Sequence, residues 1–338
     1  MITVSTRRRG AAAALAVGAV AALTLTACSS PTSGGSSNIA LVGFSTPKPA
    51  YDALSAAFEK TSAGKGVSFT PTYGPSGTES KAVLAGQQKA DYVALSTGGD
   101  MTALVPSKVS SGWDSTSTKG FGADSVVVIV VRPGNPLHIT GWDDLTKPGV
   151  KIVTPDPASS GSAKWNLLAA YEHVISEGGT ATQAEAYVTQ FFAHVVSRAE
   201  SGSVAASQFE AGTGNVLISY ESEAIAARQA GQKLDYIVPK QSMLIQTPVA
   251  VTKTAPKAAK SFLSYVESPA GQKIFAANGW RPALSGVNPG TVKGANDPSN
   301  PYPTVQKLTT IAQLGGWDTV NDKFFGDPNG IITKIESS

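Results

Sequence analysis

The stretch that decides the fold runs from residue 150 to residue 166 and reads VKIVTPDPASSGSAKWN. It begins with a short apolar strand, which two prolines end. A helix follows, because Leu168, Tyr171 and Ile175 repeat at three- and four-residue spacing. The helix begins among small hydroxyl residues and one glycine, so its free N–H groups and positive dipole end are suited to an anion. The same residues are also compatible with a plain helix cap.

Strand-like apolar runs alternate with helical stretches along the rest of the chain. The predicted strands are residues 38–44, 67–73, 92–96, 126–131, 150–154, 216–220 and 234–238. The predicted helices outside the opening stretch are residues 50–60, 78–89, 255–266 and 269–277, and the chain after residue 249 is expected to be mainly helical. This alternation predicts an α/β fold, with parallel or mixed sheets covered by helices on both faces.

Four loops share one composition, which is small, rich in hydroxyls and uncharged at the centre. They are residues 44–47, 74–78, 159–162 and 201–203, and each precedes a helical stretch. In open α/β sheets, the loops that follow the carboxyl ends of the strands meet at one edge. We therefore predict a shared anion site that is built from several helix N-termini.

The front of the chain predicts export. Residues 1–27 read as a signal peptide, with three arginines before an apolar stretch and a small-residue cleavage site. Cys28 follows as the only cysteine of the chain and matches a bacterial lipobox, so we expect it to carry a lipid. The alternative is an ordinary signal peptide that contains a cysteine. Residues 28–37, rich in Ser and Gly, predict a flexible tether on the outer face of the cytoplasmic membrane.

Net charge argues against a bulk electrostatic role. The whole chain carries a formal charge of +3, and three arginines with no acid lie in residues 1–27, so the mature protein is neutral. A neutral chain argues against a nucleic-acid or polybasic membrane function. If the protein binds an anion, local geometry has to hold it.

From residue 38 to residue 282 the chain resembles, in order and spacing, the sulfate/thiosulfate-binding proteins of bacterial ABC importers. The strongest part is RPGNP at residues 132–136, followed by WDDLTKPGV at 142–150 and by the stretch that opens this section. Further parts are GNVLISYESEA at residues 214–224 and PVAV at 248–251. With its lipobox, the chain is similar to an actinobacterial lipoprotein of this family.

The resemblance implies the type II periplasmic-binding-protein fold, with two α/β lobes, each a mixed sheet flanked by helices, and the ligand in the cleft between them. The chain is expected to cross between lobes near residues 122–127 and 243–249. Lobe 1 would then combine residues 38–123 with 244–338, and lobe 2 would be residues 124–243.

The resemblance also implies which residues bind sulfate. Four features depart from the family pattern. Thr78 stands where the family has Lys, Ser162 replaces a glycine, and Tyr220 replaces a tryptophan. The family's Asp in the first loop is missing, and Ser45 and Thr46 stand nearby. A backbone N–H survives the change at Ser162, and a phenol hydroxyl can donate as an indole does. The implied ligand set is Ser45, Thr46, Ser76, Gly77, Ser160, Gly161, Ser162, Ser201, Gly202, Ser203 and Tyr220.

Donors without acceptors favour sulfate over phosphate. Sulfate has no proton to give near neutrality, whereas phosphate keeps one and needs an acceptor. The four loops have no acid at their centres, although Asp156 and Glu79 are close in sequence. We expect sulfate or thiosulfate as ligand, affinity unchanged between about pH 6 and 8 because sulfate keeps its charge there, no cofactor, delivery to a membrane permease, and a monomer. Molybdate, tungstate or phosphate stays open as an alternative ligand.

An enzyme is the alternative from another class. Ser160 and Lys164 are four residues apart, whereas the acyl-enzyme pattern is Ser-x-x-Lys, and no Gly-x-Ser-x-Gly motif occurs. The three histidines have no metal-ligand spacing. Lys164 is interpreted as a solvated helix lysine, with a counter-charge for the anion as the alternative.

Overall fold

The computed structural model describes residues 37–337, in which strands and helices alternate. The strands are β1 Ser37–Phe44, β2 Val67–Gly74, β3 Tyr92–Ala94, β4 Phe121–Val131, β5 Ile152–Pro155, β6 Val195–Ala199, β7 Val216–Tyr220, β8 Asp235–Ile237, β9 Gln241–Val251 and β10 Lys307–Thr309. The helices are α1 Lys48–Phe58, α2 Ser76–Ala85, α3 Gly98–Thr102, α4 Gly161–Ser176, α5 Ala181–Ala193, α6 Gly202–Glu210, α7 Glu221–Gln229, α8 Lys257–Val266, α9 Pro269–Ala277, α10 Gly316–Val320 and α11 Ile331–Ser337. The signal peptide, Cys28 and all but the last residue of the predicted tether lie outside the described residues.

The strands form one mixed sheet in the order β2-β1-β3-β9-β4-β7-β5-β6, with β8 paired to β4 and β10 to β9. Two parallel groups stand at its ends. In the first group β1 lies between β2 and β3, and in the second β5 lies between β6 and β7. β9 and β4 run antiparallel to each other and join the two groups. The predicted mixed sheet is confirmed.

β4 and β9 are the two longest strands, and each pairs with partners at both ends. The first half of β4, from Phe121 to Val126, pairs with β9, and its second half, from Val127, pairs with β7. β9 in turn ends on β3. Both predicted crossings between lobes fall in these two strands, while the exact lobe boundaries stay a prediction. Asp124 lies in β4 within this pair, and burial raises the pKa of its carboxyl to about 7 against the influence of Arg281 and Gln246.

β4 shows why an unbroken apolar run forms a central strand. Successive side chains of a strand point to opposite faces of a sheet. Val127, Ile129 and Val131 enter one buried cluster, while Val126 and Val128 enter another on the opposite face. Because helices cover both faces, the strand has no polar side and reads as a continuous hydrophobic segment.

The helices begin and end where local chemistry dictates. α2 begins at Ser76, directly after Pro75, and ends at Gly86, whose φ of 75° is left-handed and closes the helix. The predicted helix 78–89 was therefore set too late at both ends. The strand 216–220 and the helix 269–277 were predicted with the bounds that the structure has. β6 and β10, which the sequence did not predict, are short strands paired on only one side.

Candidate functional site

Each of the four hydroxyl-rich loops follows a parallel strand and precedes a helix of eight residues or more. They connect β1 to α1, β2 to α2, β5 to α4 and β6 to α6. The strands in each pair are parallel, so the carboxyl ends of β1 and β2, and those of β5 and β6, lie together. The sheet thus brings the four loops together in two pairs.

Residues of all four loops line one narrow cavity. Seven members of the predicted ligand set are in its wall: Ser45, Ser76, Ser160, Gly161, Ser162, Ser201 and Gly202. The rest of the wall is Phe44, Gly74, Pro75 and Ser96. Among the residues that the structure describes, no charged side chain belongs to the wall.

The other four predicted residues stand beside the cavity. Thr46 Oγ1 donates to Glu223 Oε1 at 3.1 Å, and Ser203 Oγ lies 3.2 Å from Ser201 Oγ. Gly77 faces the loop before α4, where a Cβ added to it would lie 3.3 Å from the Ser159 carbonyl oxygen. Tyr220 is fully buried behind the wall.

The first turn of α4 presents the freest set of donors. Ser160 is its N-cap, with extended φ and ψ of −106° and 121°, and its side chain makes no capping bond. Its hydroxyl has no hydrogen-bond partner among residues 37–337, although the residue is only 3% exposed. The N–H groups of the first turn have no helical acceptor. The turn therefore offers several backbone donors, one hydroxyl and the positive end of a 16-residue helix.

Gly161 is needed for the close approach of the α4 start to Ser96 and Thr97. A Cβ added there would lie 2.7 Å from Ser96 Cβ and 2.9 Å from Thr97 Cγ2, which is too close. Nearby, Trp165 Nε1 donates to the Ser96 carbonyl oxygen at 3.0 Å. Gly161 and Trp165 belong to predicted lobe 2, and Ser96 and Thr97 belong to predicted lobe 1. The two lobes are therefore in direct contact at the cavity.

The first turn of α2 is bonded differently. Ser76 Oγ donates to Asp100 Oδ2 at 2.6 Å and accepts the Ser96 N–H at 2.9 Å. Its hydroxyl hydrogen is thus committed to a carboxylate of α3. What α2 leaves free at the cavity is the backbone N–H groups of its first turn.

Ser96 is a wall residue that sequence reasoning missed, because the predicted strand 92–96 included it. Its hydroxyl lies 2.8 Å from Tyr220 Oη. Burial raises the pKa of Tyr220, against the bonds from Ser162 and Ser96, so the phenol is neutral. The run Ser96-Thr97-Gly98-Gly99 has the same small, hydroxyl-rich character as the four loops and also precedes a helix, and this signal could have found it.

Acids lie around the cavity but outside its wall, and two of them were not expected. Asp100 holds Ser76, and Glu223 holds Thr46. Of the two acids considered from the sequence, Asp156 accepts the Ala158 N–H in its own loop. The carboxylate of Glu79 packs against Gly74, where an added Cβ would lie 2.2 Å from Oε1.

Lys164 is not the solvated lysine that we expected. It is partly buried, with Nζ donating to Asn321 Oδ1 at 2.9 Å and lying 5.2 Å from the centre of the Phe325 ring. Burial lowers the pKa of its ammonium group. A Ser–Lys hydrolase requires a lysine that acts as base on its serine hydroxyl. Here Lys164 Nζ is bonded to Asn321 and not to Ser160.

Residues 37–337 contain neither a cluster of metal-binding side chains nor a membrane-spanning helix. No group of three His, Cys, Asp or Glu residues in this part of the chain is placed to hold a metal ion. None of the helices described here is both long and apolar enough to cross a membrane.

Comparison with known proteins places the fold in a family. Residues 39–281 match the sequence profile of a family described as "Bacterial extracellular solute-binding protein". The chain belongs to this family. Its two-lobed α/β fold is thereby confirmed, and so is the expectation of an exported protein. Solute-binding proteins are not a class of enzymes.

Individual relatives narrow the group within the family. The "Sulfate-binding protein" of Synechococcus elongatus is 36% identical, over 96% of this chain and 95% of the relative. The "Thiosulfate-binding protein" of Escherichia coli is 30% identical, over 81% of this chain and 84% of the relative. Among solved structures, the sulfate-binding protein SubI from Mycobacterium tuberculosis is similar, with a TM-score of 0.80 and 39% identity, and covers 86% of this chain and 100% of its own. The resemblance stated from the sequence is confirmed.

Proposed function

We propose that this solute-binding protein captures sulfate in the cavity between its lobes and delivers it to the permease of an ABC importer. One observation carries the proposal: the N-termini of α2, α4 and α6 and the loop before α1 meet at a cavity whose wall contains no charged side chain. Such a wall offers hydrogen-bond donors and helix dipoles to an anion without a cation. The relatives named above, which are sulfate- and thiosulfate-binding proteins, support the same ligand class.

The energetics of a buried dianion are compatible with this wall. Removing a charge from water is costly unless hydrogen bonds compensate. Hydrogen bonds to a charged group contribute about 1.5–3 kcal/mol each. Each helix N-terminus adds about 0.3–1 kcal/mol. Backbone N–H groups at the starts of α2, α4 and α6, together with the hydroxyl of Ser160, supply several donors for a tetrahedral anion.

The wall favours sulfate over phosphate because it contains no acceptor side chain with a charge. Hydrogen phosphate would have to place its proton against a hydroxyl oxygen or a carbonyl. Sulfate and thiosulfate differ in one atom of the same tetrahedron, and the relatives include binders of both, so both are proposed ligands.

The proposal also covers the membrane anchor, the oligomeric state and the absence of catalysis. We propose that a lipid on Cys28 anchors it to the outer face of the cytoplasmic membrane, with residues 28–37 as the tether. The protein would act as a monomer and catalyse no reaction, because its role ends with delivery of the ligand. The position of Lys164, bonded to Asn321, supports binding over hydrolysis.

Calorimetric titration of the mature protein with sulfate, thiosulfate, molybdate and phosphate tests the proposal. We expect saturable heat with sulfate at one site per chain, and none with phosphate at the same concentrations. Equal binding of phosphate would show that the wall does not select an anion without a proton. Absence of sulfate heat under all conditions would refute the function.

A further inference from the structure

The C-terminal segment of the described chain, residues 316–337, packs on α4 and its neighbours. It consists of α10, a short π-helical turn and α11. The Phe324 ring meets the Tyr171 ring edge-on, with centroids 4.9 Å apart, and Glu336 pairs with Arg198 at 3.4 Å. Tyr171 and Arg198 belong to predicted lobe 2. These contacts attach the segment to lobe 2, whereas the boundaries expected from the sequence count it with lobe 1.

The same segment reaches the start of α4, beside the cavity. Asn321 Oδ1 accepts the Lys164 ammonium at 2.9 Å. The Trp317 ring meets the Trp165 ring edge-on, with centroids 4.9 Å apart. Lys164 and Trp165 follow the wall residue Ser162 in the first turns of α4. The segment therefore supports the helix start whose donors we assign to the ligand.

Two glycines at the start of α3, in predicted lobe 1, face these side chains from the opposite side. A Cβ added to Gly98 would lie 2.5 Å from Trp317 Cδ1, and one added to Gly99 would lie 2.6 Å from Asn321 Nδ2. Side-chain carbons do not come this close to other atoms, so only glycine lets α3 approach the segment. The segment is thus attached to lobe 2 and touches lobe 1 at these two glycines.

The charges on the two sides of this contact are complementary. Burial lowers the pKa of the Lys164 ammonium, whereas the Asp100 carboxylate of α3 favours its charged form and Lys81 disfavours it. Lys164 belongs to predicted lobe 2 and Asp100 to predicted lobe 1. An approach of the lobes therefore brings opposite charges together next to the glycine contact.

We propose that a latch between α3 and the C-terminal segment holds the lobes closed over sulfate and determines how slowly the ligand leaves. The latch consists of Gly98, Gly99, Trp317 and Asn321. None of these residues belongs to the cavity wall, so they are positioning residues, which act on the lobes and not on the ligand. The inference rests on the proposed function, because it requires a ligand between lobes that separate for its entry and its release.

A latch acts through the population of the closed form. The apparent affinity of a ligand falls with the fraction of protein that is in the competent conformation. Contacts that exist only when the lobes are closed raise this fraction, and they have to break before the ligand can leave. Sulfate enters through the open form, in which the latch is apart. Loss of the latch should therefore raise the dissociation rate and leave the association rate unchanged.

The test places a methyl group in the latch of the full mature protein through Gly98→Ala. We expect calorimetry with inorganic sulfate to show an affinity about tenfold lower than that of the wild type. Release of radiolabelled sulfate into an excess of unlabelled sulfate should be faster by the same factor. Gly112→Ala is the control, because a Cβ there would lie 3.4 Å from Ser115 Oγ, an ordinary contact, and it should keep the wild-type affinity and release rate.

A double variant shows whether the methyl group acts through the indole ring. Trp317→Ala alone should weaken sulfate binding, and Gly98→Ala should have no further effect in that background, because the ring that its methyl meets is gone. Effects that simply add would mean that Gly98→Ala acts elsewhere in α3, and they would overturn the proposal. Gly99→Ala combined with Asn321→Ala is an independent second pair with the same expected result.

Stability without ligand separates a latch from permanent packing. Thermal unfolding of sulfate-free Gly98→Ala should match the wild type, because the lobes are then apart, and the variant should lose only part of the stabilisation that sulfate adds. Lower stability of the sulfate-free variant would show a permanent contact and refute the latch.

The outcomes also separate this inference from the function itself. If the wild type binds sulfate and Gly98→Ala binds and releases it equally well, the function stands and the latch is refuted. If the wild type shows no sulfate heat, the proposed function fails.

Discussion

The starts of α2 and α4 read almost alike, Ser76-Gly77-Thr78 and Ser160-Gly161-Ser162, yet the first serine of each is bonded in the opposite way. Ser76 gives its hydroxyl hydrogen to Asp100 and accepts the Ser96 N–H. Ser160 makes no side-chain hydrogen bond to any residue between 37 and 337. Composition therefore indicates which loops meet. Whether a hydroxyl remains available for a ligand depends on a neighbour from another element, here Asp100 of α3.

The difference arises from what packs against each helix start. α3 brings Asp100 to the side of α2, where its carboxylate accepts the Ser76 hydroxyl while its backbone N–H donates to Thr97 Oγ1. Against α4 the neighbours are the side chains of Ser96 and Thr97, which lie against Gly161, and the Ser160 side chain has no partner among residues 37–337. One helix start is thus held rigidly by a carboxylate, and the other keeps its donors.

The largest expected effect follows from Gly161→Ala. The added methyl would lie 2.7 Å from Ser96 Cβ, so the start of α4 must move away from Ser96 and Thr97. Overpacking of this kind costs about 1–3 kcal/mol. We expect sulfate affinity to fall about ten- to hundredfold, measured by calorimetry.

Gly141→Ala is the matched control for this prediction. A Cβ there meets nothing within 4 Å, and the φ of −179° is extended backbone that alanine also adopts. Wild-type affinity in Gly161→Ala would mean that the close contact of α4 with Ser96 and Thr97 is not needed for binding. The proposed role of the α4 start in the site would then be wrong.

The next effect is expected for Ser160→Ala, which removes the free hydroxyl of α4. Loss of one buried donor to a charged ligand should weaken sulfate binding by about 1–3 kcal/mol, measured by titration. Ser159→Ala is the control, because that neighbouring hydroxyl donates to the Glu200 carbonyl oxygen at 2.9 Å and not to the cavity. Unchanged affinity in Ser160→Ala would remove its side chain from the ligand set.

A smaller effect on affinity is expected for Ser76→Ala, because this hydroxyl is bonded to Asp100. The variant should instead lower the free energy of unfolding by about 1–3 kcal/mol, since Asp100 and the Ser96 N–H lose their partner. Denaturant unfolding without ligand measures this loss. If Ser76→Ala weakened sulfate binding as much as Ser160→Ala while stability stayed constant, the contrast between the two helix starts would be wrong.

Much of the architecture could be predicted because it depends on local pattern. The apolar run 126–131 identifies a strand buried on both faces, and the prolines before α4 mark where a strand ends and a helix follows. The four loops could be recognised from composition alone, and the structure brings all of them to one cavity.

Other features escaped prediction because they depend on partners distant in sequence. Glu223 meets Thr46 across 177 residues, and Lys164 meets Asn321 across 157 residues. Nothing near Lys164 in the chain indicates that its ammonium is bonded and partly buried. Ser96 was missed for a local reason, because the predicted strand 92–96 included it, although its contacts with Ser76 and Tyr220 are distant in sequence.

The amino-acid sequence by itself determined the α/β alternation, the order of strands and helices that the family shares, and the small uncharged loops that precede four helices. It did so because backbone propensity, apolar period and helix capping act over a few residues. Only the tertiary structure decided that the Ser160 hydroxyl has no partner among residues 37–337, that the Ser76 hydroxyl has one, and that Glu223 stands behind Gly202. Those outcomes depend on hydrogen bonds and charges between segments far apart in the chain, which become neighbours only when the two lobes meet.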